Sequence, residues 1–113
     1  MTQVYYDVDN MYLHCKGHAG MAEAGKDIIC AGASALTMAL LNQINAEEEA
    51  GNIRSEWDMK PGDFRIRAYA DKDHYRRRIR DYYRVIVMGL QALADNYPDN
   101  ISTEEVKIGG DNV

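Results

Sequence analysis

The chain predicts an α/β (α+β) layer fold: a mainly antiparallel mixed sheet of about five strands, in the order β-β-α-β-β-α-β, with two helices covering it. Three observations carry this. Two long segments, opening near Ile28 and Tyr75, repeat apolar residues at three- and four-residue steps. Short runs rich in Val, Tyr and Ile come in pairs around turn signals, and one more such run follows the second helical segment.

Taken in order, residues 2–8 hold Val and Tyr, Asp9-Asn10 is a turn signal, and residues 11–16 resume an extended pattern, so the two runs form a hairpin. From Ile28 the positions Ile29, Ala33, Leu36, Leu40 and Ile44 lie on one helical face as far as about Ala50, where Gly51 stops the helix. Gly32 costs this helix about 1 kcal/mol relative to Ala, and a close backbone approach is the expected reason. Residues 53–58 and 64–70 flank Lys60-Pro61-Gly62-Asp63 and make a second hairpin. Tyr75, Ile79, Tyr82, Ile86, Leu90, Leu93 and Tyr97 then share a helical face, interrupted by Gly89 and ended by Pro98. Residues 101–108 read as the last strand, and 109–113 as a fraying tail.

One domain over residues 1–113 is expected, with 46% apolar and 27% charged residues, an ordinary soluble balance. No uninterrupted apolar run nears the ~18 residues of a membrane span, and the first residues lack a basic and apolar leader, so a cytoplasmic protein without membrane contact is the expectation. A net charge of −5 argues against nucleic acid as a general partner. Five of the eight arginines nevertheless fall between Arg76 and Arg84. Arg76, Arg80 and Arg84 make a stripe that reads first as a solvated helix face and second as a guide for ribosomal RNA or an acidic protein segment. Glu47, Glu48 and Glu49 are the acidic counterweight.

Chemistry concentrates in residues 17–34, GHAGMAEAGKDIICAGAS. His18 closes one apolar run, a Gly-bearing loop follows, and Asp27 is placed to cap a helix whose third residue is Cys30. A thiol there sits beside the positive end of the helix, which favours thiolate over thiol. An imidazole near it would act as base in attack and as acid toward the leaving amine. Cys30 and His18 are therefore the catalytic candidates. The competing readings are plain ones: a buried Cys at a helix start is ordinarily core, and Asp27 as N-cap contributes ~1 kcal/mol with no chemistry. Asp27 would also oppose a thiolate while favouring an imidazolium. Ser34, four residues after Cys30, shares its helix face and either bonds the substrate or packs. Cys15 reads as a small packing residue, and a Cys15–Cys30 disulfide is set aside in a reducing compartment. A zinc set of His14, Cys15, His18 and Cys30 fails because adjacent strand residues face opposite ways, so neither metal nor cofactor is called for.

Gly17-His18-Ala19, then Asp27-Ile28-Ile29-Cys30-Ala31 and Ser34-Ala35-Leu36, with Cys30 twelve positions after His18, resemble the ribosomal-processing cysteine protease family, Prp. Met88-Gly89-Leu90 through Tyr97-Pro98 add a weaker echo. The resemblance implies a homodimeric endopeptidase that removes a short N-terminal extension from a large-subunit ribosomal protein of the L-twenty-seven type. It implies Cys30 as nucleophile and His18 as base, with Gly17, Asp27 and Ser34 at further motif positions. Gly20, Met21, Ala22, Glu23, Ala24, Gly25 and Lys26 would form a mobile cover over the substrate groove. The long basic stretch 71–84 departs from the pattern and raises a second substrate class, phage capsid or scaffold protein. A non-catalytic protein that docks through its basic helix is the rival from another class.

Overall fold

The structure, a computed structural model, describes residues 1–17 and 28–109. Its elements are β1 (Thr2–Asp7), β2 (Tyr12–Lys16), α1 (Ile28–Glu49), β3 (Arg54–Lys60), β4 (Asp63–Tyr69), α2 (Asp73–Asn96) and β5 (Ile101–Glu105). The expected five strands form one mixed sheet in the order β3-β4-β2-β1-β5. Every neighbouring pair is antiparallel except β1 and β5, which run parallel with Thr2 opposite Ile101.

Strand alternation sends Val4, Leu13, Ile66 and Ala68 to one face of the sheet, where they are buried under both helices. The other face carries Tyr5, His14 and Arg65, polar or amphipathic as an uncovered sheet face requires. Ile29, Ala33, Leu40 and Ile44 bury the stripe expected of α1. The α2 stripe is rotated from expectation: Ile79, Tyr83, Ile86, Val87 and Leu90 are its buried residues, and Tyr82 lies beside the core rather than in it. The helices run antiparallel, because Leu93 meets Gly32, Leu36 meets Gly89, and Arg78 meets Glu47. A Cβ on Gly89 would stand 3.0 Å from both methyls of Leu36, and one on Gly32 would stand 3.4 Å from Leu93. Each glycine is the hole for a leucine of the facing helix, which is the close approach expected at Gly32.

Turn chemistry refines several expected boundaries. The first hairpin turns through residues 8–11, and Met11, read as strand, instead closes the turn at φ 54° with its N–H on Val8 O at 3.0 Å. Asp7, almost fully buried, holds this turn by accepting from Asn10 Nδ2 at 2.7 Å. Asp7 also accepts the N–H of Asn10 at 3.3 Å and that of Ile108 at 3.2 Å, so the Ile108 N–H goes to a side chain rather than extending β5, which stops at Glu105 instead of running to Ile108. The second hairpin is tighter than expected. Lys60 and Asp63 pair across it, leaving Pro61-Gly62 as the turn, with Gly62 at φ 75°. Gly51, at φ 80°, ends α1 as expected.

Packing decides how the hydropathy of α1 and the charge at its end are used. The 22 residues of α1 are long and apolar enough, by length and composition, to cross a membrane, although no uninterrupted apolar run of that length exists. The structure uses the apolar face to cover the sheet. Glu47, one of the acidic counterweight residues, is not on the surface. It is buried at the end of α1 and accepts from Arg78 Nε at 2.8 Å, Arg78 Nη2 at 2.7 Å, Asn52 Nδ2 at 2.8 Å and Tyr82 Oη at 3.0 Å. Within the basic stretch, Arg76 bonds Ala70 O at 2.9 Å and pairs with Asp73, and Arg84 pairs with Asp81. Much of the arginine cluster therefore neutralises local carboxylates.

Candidate active site

Ile29, 1% exposed, pins the first turn of α1 into the core and so fixes the rotation of everything after it. Cys30 follows as the third residue of the helix, half-buried. Helical spacing places Ala33, Ser34, Thr37 and Met38 on the same stripe, and all of them line one cleft of about 260 Å³ with Cys30. Thr37 donates its hydroxyl to Ala33 O at 3.0 Å and shares it with Ser34 O at 3.1 Å, which lets a polar side chain lie in an apolar wall. Ser34 stays exposed beside Cys30.

The opposite wall is the tip of the β3–β4 hairpin, Met59 through Phe64. The base of the cleft comes from the first two strands through Thr2, Cys15 and Gly17. Gly17 sits at φ 91°, and a Cβ there would fall 2.4 Å from the carbonyl oxygen of Met1, so only glycine can end β2 in this way. Its N–H donates to Gly62 O at 2.7 Å, joining the end of β2 to the hairpin tip. Gly17, the residue before His18, thus shares a cleft with Cys30.

Cys15 packs against the core as expected and also faces the cleft. Burial, with smaller contributions from the charges of Cys30 and Asp63, pushes its thiol up to about 11, so it stays protonated at neutral pH. The two cysteines are not joined in a disulfide. His14 and Cys15 do face opposite ways: His14 lies on the uncovered sheet face, its Nε2 2.7 Å from Asp63 Oδ1. That bond, more than burial opposes it, holds the Asp63 carboxyl below the usual carboxylate range. His18, the loop Gly20, Met21, Ala22, Glu23, Ala24, Gly25 and Lys26, and the cap candidate Asp27 lie outside the described residues.

The model of the cysteine protease Prp family matches residues 1–102. The chain belongs to the Prp cysteine protease family. Membership makes it a thiol peptidase and decides for catalysis over a purely docking protein. No curated protein matches the chain. Among solved structures, the ribosomal processing protease Prp from S. aureus, in complex with a covalently linked product peptide, superposes with a TM-score of 0.71 at 24% identity, over 93% of this chain and 97% of that one. The same S. aureus protease with a substrate peptide gives 0.66 at 23%, over 93% and 97%. A Streptococcus mutans protein gives 0.64 at 22%, over 93% and 91%. At these identities the likeness is one of fold, and it extends over 93% of this Prp-family chain in each case.

Sequence reasoning found the α1 side of the cleft but not its opposite wall. Pro61-Gly62 announced a turn, yet nothing local says that β4 pairs with β2 and thereby carries Met59, Asp63 and Phe64 to a place facing Cys30.

Proposed function

We propose that Cys30 is the nucleophile and His18 the base of a cytoplasmic endopeptidase that trims the N-terminal extension of a large-subunit ribosomal protein of the L-twenty-seven type. The observation that carries the reading is Cys30 at the start of α1, opening into a cleft shared with Gly17, in a chain of the Prp family. His18 takes the thiol proton as the Cys30 sulfur attacks the scissile carbonyl, and the resulting imidazolium gives that proton to the leaving amine. His18 then takes a proton from water, whose oxygen displaces sulfur from the acyl group and releases the new carboxylate. Asp27 and Ser34 support this pair, and the 20–26 segment covers bound peptide. An exposed, apolar cleft wall suits an extended peptide segment better than a small polar substrate.

The protein acts as a homodimer in this reading. Val85 and Met88, both exposed on α2, supply apolar surface for a second copy. A ribosomal substrate is favoured by the named S. aureus relatives, whereas a capsid or scaffold substrate is the second reading, motivated by the basic α2 stretch. Mass spectrometry of a peptide spanning the source organism's own ribosomal-protein extension tests this. One cut, absent in Cys30→Ala, is expected; cleavage that survives in Cys30→Ala refutes the nucleophile, and no cut by an alkylatable enzyme refutes the ribosomal substrate.

A further inference from the structure

We infer that His14 and Asp63 are positioning residues for substrate binding: their bond sets the hairpin tip that forms the cleft wall facing Cys30. This rests on Cys30 being the nucleophile. The pair lies on the sheet face away from the helices, yet it bears on the cleft because Asp63 belongs to both. His14 is in the middle of β2, with only 13% of its side chain exposed, tilted against Tyr5 at 6.0 Å between ring centroids and opposite Arg65 of β4. It is a fixed post. Asp63 is the first residue of β4, directly after the Pro61-Gly62 turn, and β3 beyond it is an edge strand. An edge hairpin tip has few neighbours to hold it.

Besides the ladder pairing of Asp63 with Lys16 and of Phe64 with Cys15, two ties run from this tip to residues 14–17, and they bracket Cys15. One is the backbone bond from Gly17 N to Gly62 O at 2.7 Å; the other is His14 to Asp63 at 2.7 Å. The first cannot be removed by a side-chain change, but the second can. A partly exposed pair of this kind contributes little to overall stability. Its consequence is geometric: it fixes where Met59, Lys60 and Phe64 stand relative to the α1 wall, and small misplacements of a binding wall are felt in substrate positioning.

The test separates binding in the cleft from reactivity of the thiol. The probe is the apolar peptidyl reagent Ala-Ala-Phe chloromethyl ketone, chosen for the apolar walls, with iodoacetamide as the groove-independent control and peptide mapping to assign modification to Cys30. His14→Ala and Asp63→Ala are expected to raise the KI of the peptidyl reagent about three- to fivefold, in line with the loss of one partly exposed pair. The inactivation rate at saturation and the iodoacetamide rate should stay within twofold. His14→Gln, which keeps an N–H donor, should recover most of the affinity, and the double alanine variant should be no worse than either single one. The inference is overturned if the alanine variants melt lower with an unchanged KI, if both reagents slow equally, or if modification of the wild-type protein shows no saturation. Failure of the nucleophile assignment looks different, as cleavage by Cys30→Ala.

Discussion

Glu47→Ala offers a quantitative test of how α1 is held. Four hydrogen bonds converge on this carboxylate, which is 6% exposed. Bonds to a charged group contribute roughly 1.5–3 kcal/mol each when buried on both sides. The partners here are better solvated: the Arg78 side chain is 44% exposed, and truncation lets Tyr82 and Asn52 regain water. A net loss of about 2–4 kcal/mol follows for Glu47→Ala, nearer a single buried bond pair than the full sum. Glu47→Gln should lose nearly as much, because its amide turns a donor toward the Arg78 donors. The Arg78 hydrogen bond, with help from Asn52 and Tyr82, outweighs burial and holds the Glu47 carboxyl below its usual range. A depressed folded-state value means that the stabilisation is complete above the unfolded carboxyl value of ~4.3 and is lost as pH falls through the folded one. Urea unfolding at pH 7, 5 and 3 is the assay. The gap between wild type and Glu47→Ala should be full at pH 7 and shrink toward pH 3. A loss below about 0.5 kcal/mol at pH 7, or a gap that ignores pH, would show that apolar packing alone locks the helix pair.

Other outcomes are equally specific. Alkylation of Cys15 should be slow at pH 7 and climb toward pH 11, while Cys30 dominates labelling at neutral pH, as read by mass spectrometry of the two peptides. Gly17→Ala combines a left-handed backbone with a 2.4 Å clash against backbone and should cost about 2–4 kcal/mol in urea unfolding, along with most of the peptidase activity. Reversing Arg77 and Arg80 to Glu, on the outer part of α2, should leave cleavage of an uncharged peptide within twofold; a large loss would assign that stretch to substrate capture.

The sheet and both helices were legible because each element carries its own period: Ile29, Ala33, Leu40 and Ile44 mark α1 whatever lies around them. Misreadings arose where a distant partner decides. Tyr83 rather than Tyr82 enters the core because α2 is turned by the Leu36–Gly89 and Leu93–Gly32 contacts, which no local pattern encodes. The burial of Glu47 has no local sign, because the burying groups, Arg78 and Tyr82, lie 31 and 35 positions later. The catalytic candidates were legible for the opposite reason. A thiol at a helix start and an imidazole after a glycine are local sequence features, whereas the facing wall depends on strand order.

The parallel pairing of β1 with β5 sets an order of events during synthesis. Thr2, whose side chain borders the cleft, sends its N–H to Asn100 O at 2.9 Å and pairs with Ile101. The first strand therefore waits for β5 before its outer edge is satisfied, and such distant contacts form late. A ribosome-bound nascent chain can complete the β1–β2 hairpin early, but the border of its cleft closes only after β5 has emerged. Proteolytic potential is thereby tied to the emergence of β5, and a product cut short before it leaves an open strand edge instead of a working peptidase.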